Sequence, residues 1–365
     1  MLKNIYISLP SLSGVILQYC FCQPPQNHLN FAWFLSLSFS LSLSLSILLL
    51  SLSLSVPFVS SVVSQAAALV DGGIKDILIA NQVVGVTKIQ NMIALAQRAT
   101  ICVAVDSQQN LAHLSAAATK AGVELAVVVD IDVGMQRCGV PHQDKATIIG
   151  LCKDAVRLPS ITWRGIMGYD GHAQEGTADA HAETRRVATR LQSVVNAVEA
   201  AGLEVGVVTG AGSGNYSAAM EYGAITECQG GGGVLYCQLY ESALSPHLNP
   251  PHKSCLFLMA QVVSIASQAK DRRVVADAGF KAHVPIMGGL PKVTSHKGVS
   301  VTGFNAEHTL VALAAGTPDL TLGERITMSP FYSDATVFLH RQAYGFRHGV
   351  VEKVFDLSPS LGRLQ

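Results

Sequence analysis

"ELAVVVDIDVGMQRCGV", residues 124–140, is the stretch on which the fold reading turns. Its first half is a nearly unbroken apolar run rich in valine, which suits a strand covered on both faces. Its second half carries aspartates and glycines, with Arg137 just past the strand. The same sequence form recurs in "DILIAN" (76–81), "ATICVAVDS" (99–107), "ITWRGIMGYDG" (161–171), "EVGVVTGAGS" (204–213) and "AITECQGGG" (224–232). Helical segments such as "TKIQNMIALAQR" (87–98) and "QNLAHLSAAATKAG" (109–122) separate most of them. Buried strands alternating with helices predict a parallel α/β sheet. Polar groups recurring at the C-terminal tips predict a (β/α)8 barrel with a functional mouth. Six strands are readable where such a barrel needs eight.

Beyond residue 240 the pattern changes. "CLFLMAQVVSIASQ" (255–268), "RRVVADAGF" (272–280), "GVSVTGF" (298–304), "ERITMSP" (324–330), "TVFLHR" (336–341) and "GVVEKVFDL" (349–357) read as antiparallel strands of a second, β-rich domain. The expected organisation is a low-complexity segment at 1–64, a barrel at 65–242 and the β-rich domain at 243–365.

The N-terminal side is unlike the rest. From Asn4 to Val70 there is no Asp, Glu, Lys or Arg, and residues 34–56 read "FLSLSFSLSLSLSILLLSLSLSV". The run is too long for an ordinary strand and too long and late for a signal peptide. Residues 31–63 are long enough for a membrane helix, so a membrane anchor is one reading. A CT dinucleotide repeat read in frame also gives Leu-Ser without end, and this translated-repeat reading is preferred. It leaves a body of cytoplasmic character and an N-terminally incomplete barrel.

Lysine plus arginine (25) balances aspartate plus glutamate (25), so nothing argues for a nucleic-acid partner. The eight cysteines form no CxxC pair, which removes a zinc ribbon and leaves buried free thiols as the expectation.

Two glycine runs carry chemistry. "GAGSGNY" (210–216) lies between a strand and the probable helix "SAAMEY", and "QGGGGV" (229–234) ends the next strand. Backbone amides in such turns suit a phosphate, and neighbouring barrel strands would set the runs side by side. Arg137 could hold an anionic oxygen or carboxylate, Tyr169 could flank a flat ring, and His172 could be a base, a ligand or a satisfied polar group.

"DGGIKDILIANQVVG", "VDIDVGMQRCGV", "GIMGYDGHAQ", "VTGAGSGNY", "TECQGGGGV", "VADAGFKA" and "TLGERITMSP" together resemble the D-threonine aldolase and D-serine dehydratase-like family over residues 65–360. The resemblance implies the alanine racemase fold, pyridoxal 5′-phosphate as cofactor, a homodimer, and lyase chemistry on D-3-hydroxy amino acids. It implies a phosphate cradle of Gly212, Ser213 and Gly214 with the backbone of Gly231 and Gly232, ring contacts from Arg137 and Tyr169, and His172 in the pocket. Two departures follow. The family's Schiff-base lysine, on the first barrel strand, has no counterpart, and Lys75 sits in a turn before a strand; the chain as written is therefore expected to be inactive. The family's divalent-metal motif, His followed two residues later by Cys or Asp, reads Tyr332 and Asp334, so a metal at Asp334 is doubtful and Tyr332 becomes an acid/base candidate beside His172. Asp334 leans toward the aldolase side. A non-catalytic membrane-anchored relative and a racemase of the same fold are the alternatives.

Overall fold

The computed structural model describes residues 4–8, 33–34, 58–173, 180–232, 235–244, 254–285 and 289–357. The first strand, β1 (Asn4–Ser8), pairs antiparallel with a strand at 256–264 and parallel with one at 342–347, so it belongs to the C-terminal sheet. The next, β2 (Trp33–Phe34), opens the barrel sheet.

That sheet continues through β3 (Phe58–Ser60), α1 (Val63–Asp71), β4 (Asp76–Gln82), α2 (Val86–Ala96), β5 (Thr100–Val105) and α3 (Gln108–Ala121). It runs on through β6 (Leu125–Asp132), β7 (Val140–Pro141), α4 (Lys145–Arg157), β8 (Ile161–Gly168) and α5 (Ala180–Ala200). It ends with β9 (Val207–Gly210), α6 (Tyr216–Tyr222) and β10 (Glu227–Cys228). The strand order β10-β9-β8-β6-β5-β4-β3-β2 follows the chain, parallel throughout, with β7 paired to the end of β6. This is a curled parallel sheet with helical crossovers, as expected from the apolar strands. β5 and β6 are buried along almost their whole length, and Val59, Leu78, Cys102, Ala104, Ala126, Val128 and Met167 form one core cluster. Local signals fix the helices. Ser107 accepts from the Asn110 amide and Asp144 from the Thr147 amide as N-caps, and Gly122 closes α3 at φ +64.

The two strands beyond the six expected are β2 and β3, two and three residues long. Such stubs are too short to show any periodicity. Among the described residues no helix is long and apolar enough to cross a membrane; the Leu-Ser run at 35–57 lies outside them.

The second unit holds α7 (Gln238–Leu244), β11 (Leu256–Ser264), α8 (Gln268–Asp271), β12 (Arg273–Ala276), β13 (Lys292–Val293), β14 (Val299–Phe304) and β15 (Thr309–Leu313). It closes with β16 (Arg325–Ser329), α9 (Ser333–Val337), β17 (Gln342–Arg347) and β18 (Val350–Asp356). Its sheet path is β14-β15-β12-β11-β1-β17-β18, with β16 between β11 and β13, and it is antiparallel except at β1–β17. One expected strand is corrected: "TVFLHR" (336–341) spans the end of α9 and a turn, and the strand begins at Gln342. Its β-branched residues read as a strand, yet Thr336 returns its hydroxyl to the Tyr332 carbonyl at 2.8 Å and Val337 is buried on the helix.

Candidate active site

The C-terminal tips of β4, β5, β6, β8, β9 and β10 gather the polar residues of the barrel. Two β-bulges aim the side chains. Between Ile79 and Gln82 the β4 register slips against β5, which turns Gln82 inward. Its amide donates to Asp130 at 2.7 Å and to Asp106 at 3.1 Å, and Asp106 also takes the Gly139 amide at 3.2 Å. Burial pushes the Asp130 carboxyl up to about 6, with Gln82 opposing and Asp106 adding to the rise. A second bulge, in β8, makes Arg164 the extra residue, and toward the opposite, N-terminal end of the sheet its guanidinium grips Asp76, the first residue of β4, through two bonds of 2.8 and 3.2 Å.

The glycine runs meet. β9 and β10 are paired, the Gln229 amide reaches the Gly210 and Ala211 carbonyls at 2.9 and 3.0 Å, and a side chain on Gly230 would touch the Ser213 backbone at 3.8 Å. A Cβ on Gly210 would come within 2.5 Å of the Gly168 carbonyl, and one on Gly212 within 2.9 Å of the Tyr169 hydroxyl. Gly210 and Gly212 are therefore held to glycine by steric necessity, and the loop is closed by Asn215, whose Oδ1 accepts from the Gly212 amide at 2.8 Å.

Tyr169 links the elements. Its ring lies against Gly212 and Gly171, and the exposed Arg137 guanidinium stands over it, 5.2 Å from the ring centroid. Arg137, Tyr169, Gly212, Ser213 and Gly214 thus belong to one region, with Gly231 following Gly230. A Cβ on Gly232 would lie 2.1 Å from the Tyr240 ring, so this position too is held to glycine. His172 turns to α5, where Nε2 lies 3.3 Å from Glu183 Oε1; Glu183 also pairs with Arg190 at 3.1 Å and Arg186 at 2.5 Å. Burial works against the Glu183 charge, yet the hydrogen bonds from Arg186 and His172 hold its carboxyl below the usual range. Lys75 lies at the opposite, N-terminal end of β4 and donates to the Arg98 carbonyl at 3.2 Å.

In the second unit Tyr332 and Asp334 meet each other. Tyr332 donates its hydroxyl to Asp334 Oδ2 at 3.0 Å, and burial raises the Asp334 carboxyl.

The barrel region, residues 56–236, matches the alanine racemase N-terminal domain, and residues 255–346 match a serine dehydratase domain. The chain is 33% identical over 303 residues to the 3-hydroxy-D-aspartate aldolase of Paracoccus denitrificans (strain Pd 1222), covering 81% of this chain and 76% of the relative. It is equally identical, 33% over 303 residues, to the D-threonine aldolase of an Arthrobacter species, covering 81% and 77%. The chain belongs to the D-threonine aldolase and 3-hydroxy-D-aspartate aldolase family. The D-threonine aldolase of Filomicrobium marinum superposes with a TM-score of 0.87 at 25% identity, over 100% of this chain and 96% of that one. A D-threo-3-hydroxyaspartate dehydratase from Delftia shares the fold at a TM-score of 0.79 and 20% identity, over 98% and 97%.

Two groups implied by the family can be tested against these donors. Side-chain-free glycine backbone on adjacent tips, with an aromatic ring and a guanidinium alongside, fits the phosphate and ring of pyridoxal phosphate. A phenol already donating to the one carboxylate does not fit a divalent cation, and among the described residues no three His, Cys, Asp or Glu side chains converge. The residues the sequence reading passed over are Gln82, Asp106, Asp130, Asp170 and Asn215. Gln82 ends β4, Asp106 directly follows β5, and Asp130 and Asp170 lie within two residues of the ends of β6 and β8; a polar residue at the tip of an apolar strand is the signal that could have found these four.

Proposed function

We propose that this barrel holds pyridoxal phosphate and is built for lyase chemistry on D-3-hydroxy amino acids, of the D-threonine aldolase type. The observation that carries the reading is the pairing of two bare glycine loops with Tyr169 and Arg137. When bound, the cofactor draws electrons from the bond to the substrate α-carbon and so eases its cleavage. The amides of Ser213, Gly214 and Gly231 would hold its phosphate, with Gly212 shaping the loop because its own amide is given to Asn215 Oδ1. Tyr169 would flank its ring, with Arg137 fixing the tyrosine from the other side. Asp130, kept near its proton by burial, stands behind the β4–β6 tips with Gln82 as its donor. His172 orients α5 through Glu183.

The chain as written is proposed to bind the cofactor without turning substrate over. Residues 4–70 hold no lysine, and the first strand of the barrel path is Trp33–Phe34. Lys75 cannot serve, because it lies at the wrong end of its strand. In a full enzyme D-threonine would give glycine and acetaldehyde, and dehydration of the same class of substrate is the neighbouring activity. The purified chain should bind pyridoxal phosphate reversibly, retain none after borohydride reduction and gel filtration, and release no acetaldehyde from D-threonine. Acetaldehyde release would overturn the inactivity, and failure to bind would overturn the site.

A further inference from the structure

Beneath the glycine loop lies a buried polar chain. Asp170 is 0% exposed and Asn215 is 2% exposed. Asn215 Nδ2 donates to Asp170 Oδ2 at 2.6 Å, and Asn215 Oδ1 accepts from the Gly212 amide at 2.8 Å. The Asn215 amide donates back to the Gly212 carbonyl at 3.3 Å, so the two residues close the loop from both sides. Thr184 on α5 supports the arrangement from 3.5 Å, its own hydroxyl bound to the Ala180 carbonyl.

The direction of this chain is set by chemistry. A carboxylate can only accept, and a backbone amide can only donate. Asn215 therefore has one orientation that satisfies both neighbours, and a flip would set oxygen against oxygen and N–H against N–H. Without Asp170 the amide loses the partner that chooses its direction. The loop needs such a constraint, because Ala211 sits at φ +54, a left-handed conformation that a residue with a Cβ adopts at a cost. Burying a carboxylate is itself unfavourable beside an apolar alternative, so its presence calls for a task.

We propose that Asp170 and Asn215 are positioning residues: by locking the Asn215 amide, Asp170 holds the 210–215 loop in the shape that receives a phosphate. The inference rests on reading that loop as the cofactor's phosphate site.

The test uses the full chain with pyridoxal phosphate and inorganic phosphate as separate probes, in wild type, Asp170→Ala, Asp170→Asn and Asn215→Ala. Losing one buried hydrogen bond that organises the loop should weaken both probes about tenfold in Asp170→Ala and Asn215→Ala. Asp170→Asn, which can still accept from Asn215, should stay within about twofold. Hydrogen exchange of a peptide covering the loop should speed up in the two alanine variants and not in Asp170→Asn. Wild-type affinity in a folded Asn215→Ala, or equal weakening by Asp170→Asn and Asp170→Ala, would overturn the proposal. If Asp170→Ala fails to fold, Asn215→Ala and Asp170→Asn decide it. If wild type binds neither probe, the phosphate reading falls and the proposed role with it. Loop exchange then shows whether the pair still shapes the backbone.

Discussion

Replacing Asp130 with asparagine should stabilise the protein, and more so as pH rises. Asp130 is 4% exposed, and its carboxyl is pushed up to about 6 by burial. In the unfolded chain an aspartate titrates near 3.9. The folded state therefore binds the extra proton across that interval. Its stability is full below about pH 4 and falls as pH rises through about 6. The total cost above the interval is about two pKa units, or ~3 kcal/mol. Near pH 5 roughly half of it is present, so on the order of 1–2 kcal/mol develops between pH 5 and pH 8. Asparagine keeps an acceptor for Gln82, which donates to Asp130 at 2.7 Å, and removes the charge facing Asp106. The advantage of Asp130→Asn in thermal unfolding should grow by about 3–6 °C from pH 5 to pH 8, at 2–4 °C per kcal/mol for a unit of this size. Parallel melting curves for the two proteins across that range would show that Asp130 is not a strained buried carboxyl, whatever the constant offset between them.

Gly165→Ala should abolish soluble expression: its Cβ would lie 1.9 Å from the Val207 carbonyl where β8 meets β9, at φ +153. Gly202→Ala, with nothing within 4 Å but φ +83, should cost only about 1 kcal/mol in thermal unfolding. In the second unit, burial lowers His283 to about 4, with the Ala278 carbonyl opposing and His340 adding. Stability should thus fall as pH drops from about 6.5 toward 4, and an acid-denaturation curve of His283→Gln should be flatter than wild type. Among the six described free cysteines only Cys138 is exposed, and burial pushes the thiols of Cys102, Cys152, Cys228 and Cys255 up to about 12. Cys138→Ser should remove a rapidly reacting thiol in a colorimetric titration of the native chain.

What the sequence discloses depends on how far each feature reaches along the chain. β6 is legible because apolar residues run through eight positions and are covered on both faces. β2 and β3 are not, because two or three residues carry no period, and their strand character comes from the neighbour they pair with. The same holds for "TVFLHR", where β-branched propensity yields to a helix closed by the Thr336 hydroxyl. At the site, glycine announces itself, since a loop that must exclude side chains can use little else. The buried acids do not. Asp170 stands between Tyr169 and the His172 loop in plain sight, yet its task depends on Asn215, 45 positions later.

That difference has a physical root which bears on the N-terminal segment. A phosphate loop is made of local backbone, so four adjacent residues can specify it and a chain can keep it while losing much else. A lysine that reacts with a cofactor is a single side chain whose value lies wholly in its place on one strand. Residues 4–70 supply uncharged sequence where the family resemblance implies that strand, and the described barrel strands there are Trp33–Phe34 and Phe58–Ser60. On the proposed reading, the phosphate end and the reactive end of the site are thus held by independent parts of the chain. Binding of pyridoxal phosphate and turnover of a D-3-hydroxy amino acid should accordingly separate in this protein, the first following Gly212 and Asn215 and the second a lysine the segment does not provide.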